Sequence, residues 1–466
     1  MKALSTELDQ TTPQTTNRKI FRAATVIAIC ACVAKLTSTA KELVVANQFG
    51  RSDALDAFLI AFLLPSFVVN LVAGSFNAAL IPTFIQVRER EGPQAAQRLF
   101  SSVMIWSLSL LGGIAILLGL LAPYYLPLVG SGFSPDKLRL TRQLLYVLLP
   151  FVVLKGLVVN WGAVLNAGER FALPAISLML TPVVIMVLLL LAGRRWGVFP
   201  LALGTVMGAV AEATFLGWTL KKRGVSLKAA WHGLDHNMRQ VVAQYVPMVA
   251  AAFLMGSTSL IDQSMAAMLK PGSVAALNYG TKVISVVLAI GSSPLATAVL
   301  PYFSRMVAQQ DWAGCRHTLK TYSALIFLVT VPITIGLVLF SHPLVRILFE
   351  RGAFTGKDTA IVSSVLVMYS IQIPFYAGGM LLVRFLASLK RNYLLMYGAI
   401  LSLTLDIILN LVLMKFLGVS GIALSTSIVH VASFLFLGFW AIRLINEETL
   451  AGSKLAPQSH ARGCRR

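Results

Sequence analysis

The sequence predicts an all-α polytopic membrane protein of about 12 transmembrane helices, arranged as two six-helix lobes related by a pseudo-two-fold axis along the membrane normal and enclosing a central cavity. Three observations carry this expectation: the composition, a series of apolar runs of spanning length, and an internal repeat. Of 466 residues, 57% are hydrophobic and 12% charged, with a mean hydropathy of +0.78. Such a balance lies outside the soluble globular class.

Helix-spanning runs fall at 20–48, 54–87, 98–122, 138–166, 172–193 and 197–220, then at 241–269, 272–306, 313–340, 357–389, 391–416 and 420–446. The implied organisation is a polar, disordered cytoplasmic N-terminus (1–19), an N-lobe (20–220), a basic interfacial connector (221–240), a C-lobe (241–446) and a basic cytoplasmic tail (447–466). Several spans exceed the bilayer and contain Pro65, Gly74 and Pro82, or Gly291, Pro294 and Pro301, so kinks are expected there. The connector, KKRGVSLKAAWHGLDHNMR from Lys221 to Arg239, reads as an interfacial helix anchored by Trp231. His232 and His236 within it lack a nearby third ligand and suit a solvated face better than a metal site.

An offset of 221 residues relates the two halves. Gly197-Val198, Ala202-Leu203, Thr205 and Phe215-Leu216-Gly217 recur as Gly418-Val419, Ala423-Leu424, Thr426 and Phe436-Leu437-Gly438, and Thr37-Ser38 recurs as Thr258-Ser259. Six spans per repeat is an even number, so both halves enter the membrane in the same sense. The offset sets Asp262 opposite Lys41 and Gln263 opposite Glu42.

The net charge of +21 is distributed as an orientation signal rather than a nucleic-acid surface. Twenty-three of the basic residues fall on the side of the termini, among them Arg88, Arg90, Lys221, Lys222 and Arg223, and eleven on the opposite side, including Arg51 and Lys137. Both termini are therefore expected in the cytoplasm. The N-terminal apolar run continues to about Asn47 and has a later counterpart, which excludes a cleaved signal peptide. Cys30, Cys32, Cys315 and Cys464 show no spacing for a disulfide framework or a zinc site.

Five basic residues, Lys35, Lys41, Lys155, Lys282 and Arg384, remain inside spans. The stretch KLTSTAKELVVAN from Lys35 to Asn47 places Lys35, Lys41 and Glu42 where hydrocarbon should be. Each such charge costs roughly 2.5 to 3.5 kcal/mol at the bilayer centre, so the helix is expected to line a polar interior, with snorkelling of Lys35 and Lys41 as the alternative. Lys282 lies about 15 Å into its helix, with Asn278 and Ser285 on the same face. Lys155 suits either the cavity or a partnership with Glu212, and Arg384 a cavity or an interface. Asp406 and His430 default to hydrogen-bonded packing roles. Lys35, Lys41 and Lys282 set against Glu42 and Asp262 make a basic cavity, which favours an anionic, phosphate-bearing ligand. A Lys41–Asp262 pair that forms in one conformation and breaks in another would supply the two-state element of alternating access.

Gly50, the triplet DAF at Asp56 to Phe58 followed by Leu64-Pro65, Pro82, FERGAFT from Phe349 to Thr355 and LGVSGIALSTS from Leu417 to Ser427 resemble, in this order, the MurJ/MviN lipid flippases of the multidrug, oligosaccharidyl-lipid and polysaccharide exporter superfamily. The resemblance spans about Ala34 to Leu437. It implies a flippase that moves polyprenyl-pyrophosphate-linked saccharides outward while the lipid tail stays in the bilayer of the bacterial inner membrane. By that resemblance Lys35, Lys41 and Glu42 match charged first-helix positions, Lys282 a cavity arginine and Arg384 a lysine. The chain departs from the lipid II flippases at Ser66 to Phe76, SFVVNLVAGSF, which lacks their paired arginines and the acid before glycine. It also lacks two further helices that those proteins usually carry, so lipid II and an exopolysaccharide or O-antigen unit both remain as substrates.

The site expected from these readings is Lys35, Lys41, Lys282, Asn278 and Ser285 for substrate, with Glu42, Asp262 and Arg384 for gating or coupling. No catalytic or metal residues and no cofactor are expected, beyond a coupling ion or the membrane potential. The expected partners are the lipid-linked saccharide and the bilayer, with no nucleic acid and a monomeric state. Two alternatives are a cation-coupled drug antiporter of the same superfamily, in which cavity acids would be essential, and a membrane-embedded glycosyl- or acyltransferase. The second needs a catalytic loop that these short loops do not offer.

Overall fold

The computed structural model describes residues 13–168, 170–225, 227, 230–231, 233, 235–291, 302–389 and 391–455. Its elements are α-helical: α1 (Pro13–Phe49), α2 (Asp53–Val69), a π-helical turn (Asn70–Gly74), α3 (Ser75–Arg90), α4 (Pro93–Val129), α5 (Pro135–Ala167), α6 (Ala172–Ser177), α7 (Leu180–Trp196), α8 (Phe199–Lys222) and α9 (His236–Ala267). They continue as α10 (Ser273–Gly291), α11 (Trp312–Leu339), α12 (Ser341–Phe349), α13 (Gly356–Ser370), α14 (Gln372–Ser388), α15 (Asn392–Leu417) and α16 (Val419–Leu455). Among the described residues, ten helices are long and apolar enough to cross a membrane. Helices α1 and α10 occupy the other two expected spans.

Helix starts follow local chemistry. Ser52, Ser134 and Asp235 cap α2, α5 and α9 by accepting from the amides of Leu55, Lys137 and Met238. Pro93 and Pro135 occupy first-turn positions, where a missing N–H costs nothing. The second expected span is continuous from Asp53 to Arg90 but carries the π-turn five residues after Pro65. Proline removes one ladder donor, and the Asn70 amide is shared between the carbonyls of Phe67 and Ser66. Gly197 and Gly418, partners in the repeat, both end a helix at φ 57°, with ψ of −126° and −134°. A side chain is strained at that φ, so the repeat extends to backbone conformation.

The connector is not the interfacial helix expected. After Lys222 the described residues up to Asp235 are non-helical. Gly224 and Gly233 adopt φ of 74° and 85°. The Ser101 hydroxyl donates to the Ala230 carbonyl at 2.9 Å and accepts from its amide at 2.7 Å, replacing helical partners. Trp231 is exposed, and Lys222 stands 3.7 Å over the Trp218 ring. His232 and Lys228 lie outside the described residues.

The chain divides into two compact units, one comprising residues 1–275 with 348–358, the other 276–347 with 359–466. In the first, α5 packs between α2, α4 and α8. Its core includes Phe76, stacked on Tyr245 at 4.0 Å and edge-on to Trp106 at 4.9 Å. Gly204 and Gly208 allow α8 to lie against α7; a Cβ on Gly208 would fall 2.6 Å from the Thr181 Cα. In the second unit, Phe303 and Phe385 meet edge to face at 5.2 Å, with Phe327, Phe375 and Phe434 packed together nearby.

Candidate functional site

On the first helix, Lys41 pairs with its neighbour in sequence. Lys41 Nζ lies 2.7 Å from Glu42 Oε1, and Glu42 is buried to 4% exposure. Thr37 and Thr39 spend their hydroxyls on the carbonyls of Val33 and Lys35 one turn back. Lys35 is half-buried, and Asp262 on α9 is buried. In this conformation Lys41 therefore holds its neighbour Glu42.

In the second unit, Lys282, Asn278 and Ser285 on α10 are all half-buried. Ser285 donates to the Lys282 carbonyl at 2.8 Å, which fixes its hydroxyl against the helix. Arg384 on α14 is half-buried, and its Nε is buried without a hydrogen-bond partner. His430 packs edge-on to Tyr376 at 5.3 Å, and Asp406 and Asn410 are fully buried on one face of α15.

Lys155 resolves toward partnership. Its Nζ lies 2.5 Å from Glu212 Oε2, and Thr181 donates to Oε1 at 2.5 Å, so both carboxylate oxygens are engaged between α5, α7 and α8. Breaking such a pair from one side costs about 3 to 5 kcal/mol, whereas replacing both partners with apolar groups is neutral or favourable. Glu212→Leu alone is expected to lower thermal stability in detergent sharply, and Lys155→Met with Glu212→Leu to restore it. Equal losses in both variants would contradict a purely paired role.

A charged network that the sequence reading did not assemble closes one end of the first unit. Asp56, 1% exposed, accepts from the amides of Gly272 at 2.7 Å and Ala275 at 2.8 Å and from Lys137 Nζ at 3.0 Å. Its carboxylate thus sits at the start of α10, where orphan amides favour an anion. Lys137 also reaches Asp53 at 2.5 Å and stands 4.0 Å from the Phe133 ring centroid. Arg51 donates to the Gly272 carbonyl at 3.0 Å and pairs with Asp358 at 3.4 Å. Asp358 in turn accepts from the amide and hydroxyl of Thr355.

The loop from the FERGAFT stretch completes this end. The Ala353 amide donates to the Asn47 carbonyl at 2.8 Å, and a Cβ on Gly50 would fall 2.3 Å from the Ala353 carbonyl oxygen. Gly50 is thus required both by its φ of 51° and by the loop against it. In the sequence alone Arg51 and Lys137 stand only as loop charges. The available signal was an acid inside the first turn of an apolar helix, directly after the Ser52 cap.

An all-α chain with ten helices of spanning length and apolarity among the described residues, several of them carrying lysines and acids, defines a polytopic membrane protein. A profile of the family described as "Lipid II flippase MurJ" matches residues 45–455, and the chain belongs to that family. Relatives include the probable lipid II flippase MurJ of Synechocystis sp., 27% identical and covering 92% of this chain and 85% of its own length. That of Thermotoga maritima is 26% identical over 86% of this chain and 81% of its own. Among solved structures, "Lipid II flippase MurJ, inward closed conformation" superposes with a TM-score of 0.78 at 21% identity, over 91% of this chain and 90% of that one. An inward-facing multidrug resistance MATE transporter gives 0.72 at 13% identity, over 93% and 100%. These likenesses carry the fold.

Proposed function

We propose that this chain is a flippase that moves a polyprenyl-diphosphate-linked saccharide across the bacterial inner membrane, with lipid II as the first substrate to test. Family membership across residues 45–455 supports this reading over the drug-antiporter and enzyme alternatives. The observation that carries the chemistry is Lys41, whose Nζ lies 2.7 Å from Glu42 Oε1 within an apolar helix. An incoming diphosphate offers that ammonium more acceptors than one carboxylate does. Lys35 on α1, and separately Lys282 with Asn278 and Ser285 on α10, are the further candidate contacts for substrate. Glu42, Asp262 and Arg384 respond to the change of partner as gating residues.

In this reading the distribution of lysine and arginine puts both termini in the cytoplasm. The network of Arg51, Asp53, Asp56, Lys137 and Asp358 then lies at the outer face, where it ties α2, α5, the start of α10 and the loop before α13 together. The proposed working unit is a monomer. Purified protein in liposomes is expected to expose labelled lipid II, or a lipid-linked oligosaccharide, to an enzyme added outside. Protein-dependent flipping of phospholipid alone, with none of either saccharide lipid, would refute the assignment.

A further inference from the structure

We infer that the first unit contains an internal water-binding site behind the π-turn of the second span, formed by Ser75, Ser107 and Asn160. Ser75 is 4% exposed and the other two 0%. The two hydroxyls and both polar atoms of the Asn160 amide have no hydrogen-bond partner. Leaving a buried polar group unsatisfied costs about 1 to 3 kcal/mol, and four such atoms in one region exceed what a native core ordinarily tolerates.

Packing puts Ser107 and Asn160 at one level of the α4–α5 pair, with Ser75 on α3, which packs against both. Helices α4 and α5 are antiparallel neighbours, and a Cβ on Gly156 would fall 2.2 Å from Leu111 Cδ1. One turn along each helix from that contact brings Ser107 level with Asn160. Ser75 and Ser107 adjoin Phe76 and Trp106, whose rings meet at 4.9 Å. Ala73, Phe76, Met104, Leu111, Val158 and Ala163, which surround the three residues in sequence, all belong to one continuous core.

The donor set selects the ligand. Two hydroxyls and an amide offer both donors and acceptors and carry no net charge, which matches a molecule that both gives and takes hydrogen bonds. Buried waters typically satisfy about three such groups each. The site lies beside Asn70–Gly74, where π-helical geometry widens the ladder in the middle of a 38-residue span. Insertion of water into or beside a helix ladder is one of the recognised causes of a kink. The site therefore makes this turn a hydrated pivot, supported by solvent within a lipid-embedded unit. The inference is independent of which lipid is carried.

Pulsed X-ray hydroxyl-radical labelling of the full chain in detergent or nanodiscs tests it, because radicals formed from bound water modify side chains that bulk solvent never reaches. Phe76 at 0% and Met104 at 3% exposure are the reporters. Both are expected to be modified in the wild type, and modification is expected to fall about threefold or more in Ser107→Ala with Asn160→Leu, which removes three of the four ligating atoms. Unmodified reporters in the wild type, or unchanged modification in the double variant, would overturn the site. Thermal unfolding gives a second readout that does not depend on the labelling. A water-filled site loses stability in Ser107→Ala alone, whereas removing a dry, unsatisfied hydroxyl leaves stability unchanged or raises it, and that result too would overturn the inference.

Discussion

Lys41→Met is expected to reduce flipping by about ten- to a hundredfold, the loss of one charge-assisted hydrogen bond to the diphosphate, with membrane protein levels close to wild type. The substitution keeps the length and apolar stem of the side chain while removing its ammonium. It leaves Glu42 buried at 4% exposure opposite a thioether, so a second variant is needed to separate binding from stability. Lys41→Met with Glu42→Gln removes both charges together, which recovers stability if the pair is structural. Under the proposed function the double variant folds and still fails to flip. Flipping at the wild-type rate by a stable double variant would mean that the first helix holds a structural pair and not a substrate contact. Lys282→Met belongs in the same assay, as the separate test of the α10 lysine.

Asp56→Ala is expected to cost about 3 to 5 kcal/mol of stability, because it strips one buried ammonium of a partner and two amides of their acceptor at once. Lys137 then keeps only Asp53, which is 58% exposed and correspondingly screened. The Gly272 and Ala275 amides, at 2.7 and 2.8 Å from the carboxylate, are left unsatisfied. Asp56→Asn retains an acceptor and is expected to recover part of the loss. Thermal unfolding in detergent checks the order wild type, Asn, Ala. An Asp56→Ala protein as stable as wild type would contradict the network's role in holding these segments together.

The first and second of these substitutions differ in how far the sequence alone could reach them. Lys41 and Glu42 stand out because charge inside an apolar run is a local anomaly, visible without knowledge of any neighbour. The same holds for Lys155, whose partnership with Glu212 was one of two readings and is the one realised at 2.5 Å. Asp56 is different. It reads as an acid near a helix start, and its value depends on Lys137, Gly272 and Ala275, which are 81, 216 and 219 residues away. The connector misled for a related reason: its spacing permits a helix, but Gly224, Gly233 and the Ser101 hydroxyl give its backbone other partners.

The sequence by itself determined the class: a many-span membrane protein built on a repeat, with the repeat glycines Gly197 and Gly418 sharing one backbone conformation. Hydropathy, period and glycine chemistry act over a few neighbouring residues, so they survive in a linear reading. Only the tertiary structure decided which charges neutralise each other, which loop locks against Gly50, and where polar atoms are stranded behind the π-turn. Those outcomes turn on distances of about 3 Å between residues far apart in the chain, and no local pattern encodes such distances.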